Sequence, residues 1–332
     1  MPNPTIEWSD GTVRLLDQTL LPHTEKVLAI TTPEELVDAI KRLAVRGAPA
    51  IGVAGAYGVV LAARRYGTES PEFEAAVSKL RTARPTAVNL ARMVDRAASF
   101  AAEGPDRILE EAEKIRREEL EASLAMGQLG ADLVLHLVGD RPIRAMTICN
   151  TGGLATVERG TALAVIQTLH ERGRLAEALP LETRPLLQGG RLTTWELQKM
   201  GAPFRLLVDS AGPFLLSRGH ADVVLIGADR VAANGDTANK IGSYSLALGA
   251  ARAGVPFIVV APESSIDLDT PSGDVIEIED RGPTEVVGFN GTPIAPPGTL
   301  AINPAFDVTP VDLITALVTE KRVVRFDRGE KI

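Results

Sequence analysis

Ile143-Arg144-Ala145-Met146-Thr147-Ile148-Cys149-Asn150-Thr151-Gly152-Gly153 is the stretch that sets the fold class. Its first six residues are mostly apolar, as a central parallel strand would be. The glycines then make a turn before residues 161–169, whose apolar side chains recur at helical spacing. A strand that ends in a glycine turn and passes into a helix is half of a βαβ unit. In open α/β sheets, ligands sit outside the carboxyl ends of the strands, beside such turns. Cys149, the only cysteine of the chain, stands there. The bland alternative for it is a small buried hydrophobe, because free cysteine is among the most buried residue types and usually inert.

Downstream the same alternation continues. Apolar strands at 143–148, 204–208, 223–226 and 257–260 alternate with helices at 161–169, 194–200, 212–218 and 240–253. That order predicts parallel βαβ units wound right-handed into a layered sheet. Residues 274–297 are rich in Gly and Pro and are expected to hold short strands and a loop over the sheet. Upstream, short apolar runs flank Ser9-Asp10-Gly11, which predicts a small antiparallel sheet with an Asp-Gly hairpin. Thr32-Pro33-Glu34-Glu35 starts a helix, with threonine as cap, proline first and acids in the first turn. Helices dominate from there to about residue 137. The last of them, 106–137, could link two halves, and its charged part, 110–121, reads as a solvated face. The expected fold class is therefore α/β. A smaller domain of helices with a short antiparallel sheet, 1–137, precedes a Rossmann-like three-layer parallel sheet domain that carries catalysis, 138–332.

A chain of 332 residues is long for a single core, which supports two domains. No window reaches eighteen uninterrupted apolar residues, and the first ten residues lack a signal-peptide pattern, so the expected location is cytoplasmic with no membrane partner. One cysteine cannot make an internal disulfide, and His23, His136, His170 and His220 are too scattered for zinc spacing, so no metal is expected. A formal charge of −8 argues against a nucleic-acid partner but leaves room for a local basic pocket.

Arg46-Gly47-Ala48-Pro49-Ala50-Ile51-Gly52 opens a helix; backbone amides at a helix start, beside an arginine, suit a phosphate. Its glycines and alanines would equally serve tight helix packing. Arg84-Pro85-Thr86-Ala87-Val88-Asn89 is a second arginine at a helix entrance. No Walker spacing and no G-x-G-x-x-G after a strand occurs, so neither a triphosphatase nor a dinucleotide enzyme is indicated, and no cofactor is expected. Gln188-Gly189-Gly190 lies in a glycine turn after a strand. Asp229 follows the strand 223–226, level with Cys149; the alternatives for it are a helix cap or an ion pair with Arg230. Asn234 to Gly242 reads as a polar turn leading into a helix, with Asn239 and Lys240 facing whatever Asp229 faces. One thiol, one carboxylate, two arginine loops, an amide and an amine fit acid/base chemistry on a phosphorylated small molecule.

Together these strings resemble the S-methyl-5-thioribose-1-phosphate isomerases of the translation initiation factor 2B alpha/beta/delta-like family. The matching segments are Arg46 to Gly52, Arg84 to Leu90, Cys149 to Thr156 with Gly160 to Leu163, Glu182 to Pro185, Leu187 to Gly189, Gly227 to Val231, Gly235 to Gly242 and Asn303 to Pro310, in family order across nearly the whole chain. The resemblance implies an aldose–ketose isomerase of methionine salvage that acts on a small sugar phosphate, 5-methylthio-α-D-ribose 1-phosphate. It implies Cys149 and Asp229 as catalytic pair, and Arg46, Gly47, Ala48, Arg84, Gln188, Asn239 and Lys240 as substrate-binding residues. It also implies a homodimer. Asp229 as an acid calls for a dry pocket that raises its pKa, and Cys149 then needs a positive partner or a helix amino terminus. Three positions depart from the pattern: Ile148 where a histidine is expected, Leu181 where an aspartate commonly stands, and Glu158-Arg159 in a usually aromatic neighbourhood. The competing readings are a ribose 1,5-bisphosphate isomerase and a non-catalytic regulatory subunit of the initiation factor 2 exchange complex.

Overall fold

The computed structural model describes residues 5–84, 88–289 and 291–332. The chain forms two compact units, Met1–Leu124 with Thr151–Gly160, and Ala125–Asn150 with Thr161–Ile332.

The first unit opens with β1 (Ile6–Ser9), β2 (Thr12–Leu16) and β3 (Val27–Ile30), paired antiparallel in that order. Asp10 and Gly11 take φ of 50° and 80°, the positive values that a two-residue turn between twisted strands requires, so the Asp-Gly hairpin forms as expected. Thr32 caps α1 (Pro33–Lys41): its hydroxyl accepts the Glu35 amide at 3.2 Å while the Glu35 carboxylate accepts the Thr32 amide. In α2 (Ala48–Tyr66) no charge occurs before Arg64, and every residue from Pro49 to Ala63 is buried, so it is the central core helix of the unit. α3 (Pro71–Arg81) and α4 (Val88–Ala98) pack on it at glycines. A Cβ on Gly55 would lie 2.6 Å from Leu90 Cδ1, and one on Gly58 2.6 Å from Leu80 Cδ2. The packing role allowed for small residues here is therefore realised about two to three turns after Arg46.

The long helix α5 (Pro105–Val138) is present as expected. Its charged stretch is not simply solvated. Glu111 is 3% exposed and accepts from Arg96 at 2.8 Å and Arg107 at 3.4 Å, and Glu113 accepts the Tyr57 hydroxyl at 2.8 Å. Where α5 turns toward α2 and α4, its carboxylates are satisfied by partners rather than by water.

The second unit contains β4 (Ile143–Thr147), α6 (Ala162–Glu171), β5 (Leu175–Pro180), α7 (Thr194–Lys199), α8 (Ala211–Ser217), β6 (Val223–Ile226), β7 (Arg230–Ala232), β8 (Thr237–Lys240), α9 (Ser243–Ala253) and β9 (Phe257–Val260). β10 (Ile266–Asp267), α10 (Thr284–Val287), β11 (Gly288–Phe289), β12 (Thr292–Pro293), β13 (Phe306–Thr309), β14 (Ala316–Val318) and β15 (Val323–Val324) complete it. The main sheet has the order β15-β14-β9-β6-β4-β5, parallel throughout except for β15. Leu216 of α8 and Leu246 and Ala247 of α9 share a core with Met146, Ile148, Val224 and Ile226. α6 also packs on β4, β5 and β6. From β4 the chain steps outward to β5, then returns to the other side of β4 for β6 and continues to β9 and β14. The carboxyl ends of β4 and β6 thus flank the topological switch point, where open α/β sheets bind ligands.

Two expectations need correction. Residues 204–208 form no continuous strand: Phe204 and Leu207 bridge Ala178 and Leu181 singly, since Pro180 of β5 has no amide with which to extend the ladder. The helix expected from 240 begins at Ser243, because Thr237–Lys240 is a strand, paired with β7 and β13 in a second sheet of order β10-β7-β8-β13. Gly242, at φ 102°, makes the break between strand and helix. No helix among the described residues is long and apolar enough to cross a membrane.

Candidate active site

Cys149 lies two residues beyond β4 and Asp229 three beyond β6, at the carboxyl ends of hydrogen-bonded neighbour strands whose register sets Met146 beside Val224. Strands so paired run about 4.8 Å apart.

Cys149 is 8% exposed and has φ 64°, a left-handed backbone that non-glycine residues seldom adopt. Both its peptide groups are held. Its amide donates to Thr183 Oγ1 at 2.8 Å, and its carbonyl accepts from Thr193 Oγ1 at 2.7 Å. The Thr183 hydroxyl in turn donates to the Leu181 carbonyl at 3.0 Å, and the Thr183 and Arg184 amides each donate to the Asp209 carboxylate at 2.7 Å. On the other side the Asn150 side-chain amide donates to Thr193 Oγ1 at 3.3 Å and to the buried Glu196 carboxylate at 2.6 Å. Asn150 and Thr183 fall within the matched segments without a role of their own there, and Thr193 and Glu196, 44 and 47 positions from Cys149, carry no local mark.

Gln188 enters a π-helical turn, Gly189–Thr193, an irregularity that recurs at functional sites. A Cβ on Gly189 would fall 1.7 Å from the Leu181 carbonyl oxygen, so only glycine fits there. Gln188 itself is 7% exposed, and its side-chain oxygen is buried with no hydrogen-bond partner among the described residues. A buried acceptor left unpaired costs about 1–3 kcal/mol, which a ligand hydroxyl would recover.

The loop after β6 is more open. The Asp229 amide donates to the Ala238 carbonyl at 2.9 Å, and the residue is exposed. The dry surroundings expected of an acid are therefore not present at Asp229 in this structure. Arg230 pairs with Asp267 at 3.4 Å. Asn239 is buried and donates to Ser243 Oγ at 2.8 Å; Lys240 donates to the Ala305 carbonyl at 2.8 Å with its ammonium 4.5 Å from the Phe306 ring centre. Asp307 stands beside them and accepts the Gly242 and Tyr244 amides at 2.7 and 3.1 Å, capping α9. Burial pushes its carboxyl pKa up to about 6 despite those bonds and the Lys240 charge.

In the first unit, Gly47 is the N-cap of α2 at φ 92°, and no side chain caps the amides that follow. A Cβ on Gly47 would lie 2.4 Å from the Ala155 carbonyl oxygen. Arg46 and Ala48 flank it, and Arg84 is half-buried beyond α3. Pro85, Thr86 and Ala87 of the second arginine loop lie outside the described residues.

The departures from the expected pattern are internally matched. Ile148 and Leu181, each 1% exposed, belong to the core under α8 and α9, and Glu158 pairs with Arg116 at 2.8 Å.

The model of the Initiation factor 2 subunit family matches residues 44–325. The probable bifunctional methylthioribose-1-phosphate isomerase/methylthioribulose-1-phosphate dehydratase of Nocardia farcinica is 51% identical over 96% of this chain, which spans only 59% of that protein. The methylthioribose-1-phosphate isomerase of Pelotomaculum thermopropionicum is 46% identical over 97% of this chain and 91% of its own length. Among solved structures, the 5-methylthioribose 1-phosphate isomerase of Pyrococcus horikoshii superposes with a TM-score of 0.90 at 41% identity, over 98% of this chain and 93% of its own. The translation initiation factor eIF-2B subunit delta of A. fulgidus gives 0.85 at 39% identity, over 97% and 96%.

Proposed function

The chain belongs to the Initiation factor 2 subunit family, and from that membership we propose that it is an aldose–ketose isomerase converting 5-methylthio-α-D-ribose 1-phosphate to 5-methylthio-D-ribulose 1-phosphate in methionine salvage. The observation that carries this reading at the level of the site is the placement of Cys149 and Asp229 at the ends of adjacent parallel strands, on either side of the switch point.

The substrate is locked as a ring by phosphate on its anomeric oxygen. In this reading Asp229 gives a proton to the ring oxygen as the bond from that oxygen to C1 breaks. Cys149 moves the hydrogen of C2 to C1 while the C2 hydroxyl gives up its proton, which restores the one that Asp229 spent, and this leaves the ketone at C2 and the phosphate in place. Asp229 is exposed, so in this reading the bound sugar itself excludes water from around the carboxyl. Gln188 offers its unpaired oxygen to a sugar hydroxyl, and Asn239 and Lys240 bind the same molecule. Arg46, with the amides of Gly47 and Ala48 at the start of α2, and Arg84 take the phosphate.

A thiol that works reduced suits the cytoplasm, to which we assign the enzyme. We assign it as a homodimer, and the apolar side chains of Leu206, Val208, Phe214, Tyr244 and Leu248, 40–58% exposed on the second unit, support self-association. Sedimentation equilibrium reads the mass directly.

Turnover tests the function. Purified protein should convert 5-methylthioribose 1-phosphate and leave ribose 1,5-bisphosphate largely unchanged. Preference for the bisphosphate would point to the sister isomerase, and turnover of neither would mark a regulatory scaffold.

A further inference from the structure

We propose that Thr183, with Thr193 opposite it, is the positioning residue for the reacting thiol: the two hydroxyls hold the Cys149 backbone in its left-handed conformation and thereby set the direction in which the side chain leaves the sheet.

Along β4 side chains alternate between the faces, and Met146 and Ile148 both join the core under α8 and α9. An extended Cys149 would simply continue that alternation. At φ 64° it does not, and its Cα–Cβ bond is turned out of the series. Such a conformation is costly and persists only where the surroundings over-determine it. Here they do so from both ends of the residue. Thr183 Oγ1 spends its own proton on the Leu181 carbonyl and so presents a lone pair to the Cys149 amide. Thr193 Oγ1 spends its proton on the Cys149 carbonyl and accepts from Asn150, which is anchored on Glu196.

Thr183 is itself costly. It is fully buried and, although β-branched, sits at φ 67°, where β-branched residues are genuine outliers. The Asp209 carboxylate, bonded to the Thr183 and Arg184 amides, holds it there. Two strained residues from separate strand ends, joined by one hydrogen bond, form a frame for the thiol rather than a turn that folding alone would need.

The inference rests on Cys149 being a reacting group, and its test separates the two claims. Thr183→Val keeps shape and removes the acceptor; Thr183→Ser keeps the acceptor; Thr183→Ala removes it without a β-branch at positive φ, and serves if the valine variant does not fold. Kinetics with 5-methylthioribose 1-phosphate and the rate of iodoacetamide labelling, which reads Cys149 alone in this chain, are measured on each. The expected result is a fall in kcat of thirtyfold or more with KM within twofold in Thr183→Val or Thr183→Ala. Thr183→Ser should return to within threefold of the parent, and Thr193→Val should fall in kcat by tenfold. Labelling should quicken at least fivefold in every variant that loses kcat, as the thiol leaves its held position. Parent-like kcat and labelling in Thr183→Ala, or equal losses in Thr183→Ser and Thr183→Val, would overturn the proposal. If the parent turns over neither sugar phosphate, the isomerase reading fails, while the labelling rates still decide whether Thr183 holds the thiol.

Discussion

The loop that leaves β4 buries its key residue and clamps it from both sides, whereas the loop that leaves β6 presents its key residue to solvent. Cys149 is buried, left-handed and fixed at amide and carbonyl by hydroxyls from 34 and 44 residues away. Asp229 is exposed, and its amide donates to the Ala238 carbonyl of the neighbouring hairpin strand β8. A fixed backbone on one side of the switch point thus stands across from an exposed carboxylate on the other. A group that carries hydrogen between two carbons needs a fixed direction, while a proton donor to a ring oxygen needs the removal of water, which only the ring can bring about.

The sharpest way to break that contrast is to remove each group. Cys149→Ser and Asp229→Asn should each lower kcat by roughly 10²–10⁴-fold with unchanged circular dichroism, the range that acid/base groups command. Near-normal turnover in either would end its assigned role. Gln188 sharpens the contrast because it is paid for in the free enzyme: Gln188→Leu should lower kcat/KM by about ten- to a hundredfold and yet raise the unfolding free energy by about 1 kcal/mol, since a buried unpaired acceptor disappears. Denaturant titration and steady-state rates on the same sample check both signs. Arg46→Ala should raise KM by about tenfold and leave kcat within about threefold, as expected for an interaction made equally before and during the reaction.

Much of this arrangement is legible in the chain. The apolar runs that become β4, β6 and β9 and the caps at Thr32 and Gly47 are local signals, and the rule that ligands gather at strand ends directs attention to Cys149 and Asp229. What was not legible is non-local. Asn239 and Lys240 are poor strand formers, and they become strand because β13, some 67 residues later, pairs with them. The run 204–208 has strand composition, but its neighbour Pro180 interrupts the ladder. Thr183 carries no local mark within Glu182-Thr183-Arg184-Pro185, because what distinguishes it is a bond to Cys149 at the end of another strand. The exposure of Asp229 could not be read either, since burial is a property of packing and not of sequence.

Asp307 offers the smallest test, on the looser side. Its carboxylate caps α9 and lies by Lys240 and Asn239 on β8, facing the Gly242 and Tyr244 amides, with Glu285 also near Lys240. Burial lifts its pKa from 3.8 to about 6, so between those values the folded chain binds a proton that the unfolded chain has released. Stability from this group is therefore fully present below about pH 3.8 and is lost as pH rises through about 6. The loss is of the order of 3 kcal/mol at most. Asp222 runs the other way: held down to about 2 by Arg144 and Arg141 against the cost of burial, it stabilises above pH 3.8, and that contribution is lost as pH falls toward 2. The two windows meet without overlapping. Unfolding free energies of the parent and Asp307→Asn, compared from pH 4 to 7, should diverge progressively up to pH 6 and run parallel beyond it. Curves parallel over the whole range would mean that the Asp307 carboxylate is as well solvated in the folded chain as in the unfolded one.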